Sequence, residues 1–217
     1  MKSSVPLFAL SGFLLFFSCS LSAPDVKGVK AAAVFEYADN DSDPRMRLAV
    51  FAEAGSDVRR VESIRIVSND RGWEWKAIGL EIFASDARQW AGYTNFVSPG
   101  DETIPQGAYT FFYTDALGDD AESSFSVFYP ADLVHTRSGE AKEKLGTGMR
   151  ERIALYDEKD VLIYFDTRKA GWREDDDVWR EMENASRMRL CFLNADASVL
   201  CFMPFIDRPE ISPTSGE

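Results

Sequence analysis

Histidine is almost missing from this chain: His135 is the only one in 217 residues, and cysteine occurs three times. A serine triad therefore has one base to draw on, and no Gly-x-Ser-x-Gly elbow accompanies it. Nitrogen and sulfur ligands are too few for a zinc site, and a cysteine nucleophile lacks a choice of partner base. Positive charge is also short, with 24 Lys+Arg against 36 Asp+Glu and a net charge of -12. That balance excludes a nucleic-acid binder and charge-driven adsorption on anionic lipid. No apolar run is long enough to span a bilayer. The longest, residues 5–17, falls short of the ~20 residues that a spanning helix needs. Aromatics, by contrast, reach 13%, enough to build a core and to exclude a disordered chain.

The apolar run follows a short basic start, Met1-Lys2-Ser3-Ser4, and has the length of a signal-peptide core. Behind it stands Leu15-Phe16-Phe17-Ser18-Cys19-Ser20. This stretch resembles the lipobox of bacterial lipoproteins. Phe17 occupies a place where a small residue is usual, and such relaxed boxes are similar to those of spirochaete lipoproteins. The resemblance implies removal of residues 1–18, a diacylglyceryl group on the Cys19 thiol and a further chain on its amine. Two or more chains give stable attachment to a membrane. It also implies a cell-envelope location, with Ser20 rather than aspartate after the cysteine pointing to the outer membrane. The alternative is ordinary cleavage after Leu21-Ser22-Ala23, which would leave Pro24 at the new terminus.

Residues 19–33 read as a tether. From Val34 the pattern turns to period two. Met46, Leu48, Val50 and Ala52 share one face of a strand, and Ile64 and Ile66 one face of the next. Turn-forming clusters, 39–44, 55–57 and 69–72, separate these segments. Strands at this spacing predict an all-β sandwich or barrel.

The clearest local signature begins Ile104-Pro105-Gln106-Gly107-Ala108-Tyr109 and runs through Phe111, Tyr113 and Asp115 to Gly118. A second strand with Phe125, Val127 and Tyr129 on one face follows. This hairpin resembles the last one of bacterial immunoglobulin-like and fibronectin-type sandwiches. The resemblance implies a tyrosine corner at Tyr109, whose hydroxyl returns to nearby backbone. It is silent on activity, because the fold hosts many functions.

Two more hairpins are expected, 152–156 with 161–165 and 188–193 with 199–203, both apolar on two faces. Between them, Asp175-Asp176-Asp177 precedes a short helix carrying Val178, Met182 and Ala185 on one face, with Asp175 or Asp176 as cap. The prediction is a mainly β protein: one domain over 34–206, immunoglobulin-like over 34–130 and extended by hairpins and helix over 150–206, then a loose tail at 207–217.

Few constellations could carry chemistry. Cys191 and Cys201 flank their turn symmetrically about Asp196, so they face each other as either a disulfide or two buried thiols. Asp39-x-Asp41-x-Asp43 starts like a calcium loop, but Pro44 and Val50 stand where such a loop needs glycine and glutamate. Solvated turn residues are the plainer reading. Trp73 and Trp75, on one strand face, could stack on sugar rings or fill the core between sheets. The sequence identifies no catalytic residue and no cofactor. The expected function is a membrane-anchored envelope lipoprotein whose non-catalytic sandwich binds a protein or glycan. The alternatives are a carbohydrate-active hydrolase using a carboxylate pair and a purely structural lipoprotein.

Overall fold

The computed structural model describes residues 23–100 and 102–209. The signal segment 1–18, Cys19 and residues 210–217 lie outside them. Thirteen β-strands and two α-helices form among the described residues. In chain order they are β1 (Val26–Glu36), β2 (Arg45–Ala54), β3 (Val61–Ser68), β4 (Glu74–Ile78), β5 (Glu81–Ser85), β6 (Arg88–Val97), β7 (Gly107–Asp115) and β8 (Asp120–Val127). Then follow α1 (Ser138–Lys144), β9 (Arg150–Tyr156), β10 (Leu162–Asp166), α2 (Asp175–Glu181), β11 (Arg187–Leu193), β12 (Val199–Phe202) and β13 (Ile206–Asp207).

The strands make two sheets. The smaller runs β4-β3-β7-β8, and the larger runs β10-β9-β11-β12-β1-β2-β6-β5, with β13 beside β11. Strands β1-β2-β6-β5 facing β4-β3-β7-β8 give the connectivity of an immunoglobulin-like sandwich. The alternation expected from sequence is what closes it. Leu48, Val50 and Ala52 from one sheet meet Ile64, Ile66, Tyr109, Phe111 and Tyr113 from the other, all essentially inaccessible to water. Burying each of the larger side chains stabilises the fold by ~1.5–3 kcal/mol. Tyr109 stacks on Phe125 at 5.1 Å, and its hydroxyl donates to the Pro105 carbonyl at 2.6 Å. That is the tyrosine corner the sequence predicts.

The C-terminal third extends the larger sheet. β12 adds in parallel to the outer edge of β1, from Ala33↔Val199 to Glu36↔Phe202. Helix α2 then covers the inner face of β9 and β11, its Val178 and Trp179 packing with the flanking Trp172 and Ala185 against Ile153, Leu155 and Met188; the helix ends at Glu181, short of the expected Met182 and Ala185. Its cap is Glu174, not Asp175 or Asp176, in a capping box with Asp177.

Two further expectations change. Residues 26–33 are not a tether; they form the start of β1 and pair with β2 from Val26↔Ala54 to Ala33↔Leu48. Their small side chains look like linker composition, yet Val29, Ala31 and Ala33 alternate against the core. Strands β5 and β6, for which the sequence sets no expectation, complete the sandwich. The C-terminal segment is tied down as far as Arg208, which donates to the carbonyls of Trp179, Glu183 and Ala185.

Strand directions give the sandwich two distinct ends. At the entry end lie Val26, the 55–57 turn, the 86–87 turn and the 116–119 turn. Asp115 is buried here against Arg60, and its carboxylate accepts the N–H groups of Leu117 (2.9 Å) and Asp119 (3.1 Å). Burial works to raise its pKa, but those N–H groups and the Arg60 charge outweigh it and hold it below the usual carboxylate range. A lowered folded-state pKa stabilises the protein at neutral pH, and that contribution is lost as pH falls below the ordinary value of 3.8. Asp115→Asn should accordingly lower the urea midpoint at pH 7, with the gap from wild type closing in acid below that value. A constant gap across pH would refute this assignment.

Candidate functional site

The opposite end of the sandwich is concave. The β1–β2 turn, residues 97–100 with Glu102 and Thr103, and the stretch around Val134 and His135 line a cavity of about 580 Å³. A second cavity of about 270 Å³ lies beside it, walled by Asp70, Arg71, Trp73, Gln106 and Tyr129. Glu102 and Thr103 line both, so the two form one groove with a shared partition. Two tyrosines hold that partition in place. The Tyr109 hydroxyl donates to Pro105, and the Tyr129 hydroxyl donates to the Ile104 carbonyl at 2.6 Å. Burial pushes the Tyr109 hydroxyl up to about 12, and raises Tyr129 as well, so both remain donors. The wall is thus rigidly set from the core.

Within the groove the predicted residues separate. Trp75 points inward opposite Ile66, and its Nε1–H donates to the Val97 carbonyl at 2.7 Å, tying β4 to β6 across the sandwich. It is half-buried, packs against the core and lines neither cavity. Trp73 meets it edge-on at 5.9 Å and is half-buried, with its remaining surface in the smaller cavity. The expected two-indole platform is therefore a single indole.

The acidic turn also divides. Asp39 accepts from the backbone N–H groups of Asp41 (2.9 Å) and Ser42 (2.7 Å) and from the Ser42 hydroxyl. The Ser42 hydroxyl, then these N–H groups, lower its pKa. Asp41 faces Arg137 at 3.5 Å, and Asp43 lies 3.0 Å from Nδ1 of His135. Three carboxylates turned to three partners do not converge on a calcium ion. Among the described residues no three His, Cys, Asp or Glu side chains gather as metal ligands.

The Asp43–His135 pair sits at the mouth of the larger cavity, a juxtaposition that residues 92 apart in sequence do not reveal. Ser98 lines the same cavity, but its buried Oγ has no hydrogen-bond partner, so no base is engaged to activate it. His135 is 79% exposed, and a solvated pair of this kind contributes little to stability.

The outer face of the larger sheet carries a cluster that sequence reading missed. Glu36 is held between Arg47 (3.2 Å) and Arg189 (3.3 Å). Burial works to raise its pKa, but these two guanidinium groups outweigh it and keep it low. Arg189 also lies over Phe202 at 4.2 Å and Phe205 at 4.5 Å, and donates to the Tyr156 hydroxyl at 3.0 Å. The arginine-x-arginine alternation at 45–47 and 187–189 was the available signal. No family model and no curated protein matches the chain.

The cysteines correct one more expectation. The 194–198 turn places its pseudo-axis half a residue from Asp196, so Cys201 pairs with Phe192 and Cys191 with Phe202. Neighbouring residues on a strand point to opposite faces, and the two thiols are separated by the sheet. Both are free and buried, and burial pushes each up to about 12. Neither should react with a thiol reagent in the folded protein at pH 8, and both should react in denaturant without reductant. A bridge would appear as two thiols missing until reductant is added.

Proposed function

We propose that this protein is a lipid-anchored envelope lipoprotein, joined to its membrane at Cys19, whose sandwich binds a glycan in the end groove without catalysis. The observation carrying this reading is the groove: one available indole, Trp73, beside Asp70, Arg71, Glu102 and Gln106 on a wall stapled by Tyr109 and Tyr129. Sugars need an apolar ring face to stack on and polar groups at its rim to orient hydroxyls. This groove offers both on a preformed scaffold. Against a hydrolase, every carboxylate of the described residues with a displaced pKa is displaced downward, as at Glu36, Asp115 and Glu181. A general acid requires the opposite displacement.

A protein partner is the second reading, favoured by the Arg189–Phe202–Phe205 cluster and by Leu162 and Phe165 exposed beside it. Arginine and aromatic residues are enriched in the centres of protein interfaces. The net charge of -12 disfavours nucleic acid as partner.

Two measurements test the proposal together. Radiolabelled palmitate should enter the wild type and be absent from Cys19→Ala. Calorimetric titration with the host's envelope polysaccharide fragments should show binding that Trp73→Ala weakens by about tenfold, equivalent to ~1.4 kcal/mol. Cleavage of the fragments would replace binding with hydrolysis. Indifference to Trp73→Ala would move the partner site to the outer sheet face.

A further inference from the structure

The chain enters the fold at a fixed point. Pro24 is buried, and the Asp25 carbonyl accepts the Gly55 N–H at 2.7 Å. The entering segment lies directly on that glycine. A Cβ at Gly55 would come within 2.1 Å of the Asp25 carboxylate. β1 then starts at Val26 and pairs at once with Ala54. Nothing C-terminal to Pro24 is available as slack, so the link from Cys19 is five peptide steps, ~17 Å at full stretch.

The groove lies at the other end of the same strand. β1 runs 11 residues from Val26 to Glu36, and at ~3.3 Å per residue it spans ~35 Å. The β1–β2 turn that walls the groove begins just beyond. A link of ~17 Å cannot run back along ~35 Å of strand to bring that end to the lipid. The entry end also carries large apolar side chains at its tips, Ile78 at 71% exposure and Leu117 at 59%. Ile78 closes β4, and Leu117 sits in the β7–β8 turn.

We infer that the domain stands on the membrane surface on its entry end, with Ile78 and Leu117 toward the lipid headgroups and the groove facing away. This rests on the Cys19 anchor proposed above. The covalent link sets the orientation, and the two apolar tips lie on the side that it holds to the membrane. Charge does not contribute, because the acidic surface is not drawn to anionic lipid. The groove is thereby presented to material beyond the membrane that holds the protein, not to that membrane's own headgroups.

The test uses the full-length lipidated chain in phosphatidylcholine vesicles containing a headgroup nitroxide lipid. A fluorophore is placed at the entry end by Ser85→Cys or at the groove end by Asp41→Cys; the buried Cys191 and Cys201 stay unlabelled. Both variants should float with the vesicles, and a Cys19→Ala chain should not. The label at position 85 should lose most of its emission to the nitroxide, while the label at position 41 keeps it. Inserting about 14 Gly/Ser residues between Ala23 and Pro24, a spacer of ~20 Å, should abolish most of that difference. Equal quenching at the two positions, or stronger quenching at position 41, in protein that floats would overturn the orientation and leave the anchor standing. A difference that survives the insertion would overturn the link-length argument. Failure of the wild type to float would overturn the anchor, and the orientation with it.

Discussion

Strand β1 forms backbone hydrogen bonds along both edges, and the rest of the fold depends on that. On one edge it pairs antiparallel with β2 over nearly its whole length; on the other it pairs in parallel with β12. An immunoglobulin-like sandwich normally leaves this edge open, where unpaired N–H and C=O groups invite association. Here the chain's own C-terminal third caps it. The hairpins are therefore not a second domain but a continuation of one sheet, and Phe35 and Cys201 share a core across the junction. Removing β12 would expose both a strand edge and the apolar face that Phe192 and Val199 cover.

The same strand gives the molecule its polarity. Its start is held by Pro24 and the Asp25–Gly55 hydrogen bond, and its end opens into the turn that walls the groove. The carboxylates follow this division. At the entry end Asp115 is fully satisfied by Arg60 and two N–H groups and serves as a staple. At the groove end the carboxylates of Asp70 and Glu102 line cavities, where polar groups are placed as a binding surface needs them. The Tyr109 corner joins the two roles, since its ring lies in the core and its hydroxyl holds the groove wall.

How much of this was legible in the sequence varied with the range of the interaction involved. Tyr109, Phe111 and Tyr113 announce their strand because alternation is local, and the tyrosine corner spans only four residues. The helix α2 is legible for the same reason, with its acids at the first turn and Val178 on its apolar face. Residues 26–33 were not, because alanine, glycine and lysine suit a linker as well as a strand; only pairing with β2 decides between them. The cysteines show how small a margin is needed. A half-residue displacement in the 194–198 turn sends the two thiols to opposite faces.

The sequence by itself determined the class of the fold, the hairpin of the tyrosine corner, the short acidic-capped helix and an acidic surface. Each follows from residues close together in the chain, where spacing and side-chain chemistry suffice. Tertiary structure alone decided which indole packs against the core and which lines a cavity, and where the acids of the 39–43 turn point. It also placed Glu36 between Arg47 and Arg189, and Asp43 beside His135. These outcomes depend on strand register and loop approach between residues as many as 153 positions apart. A shift of one residue in register would reverse every inward and outward side chain on a strand.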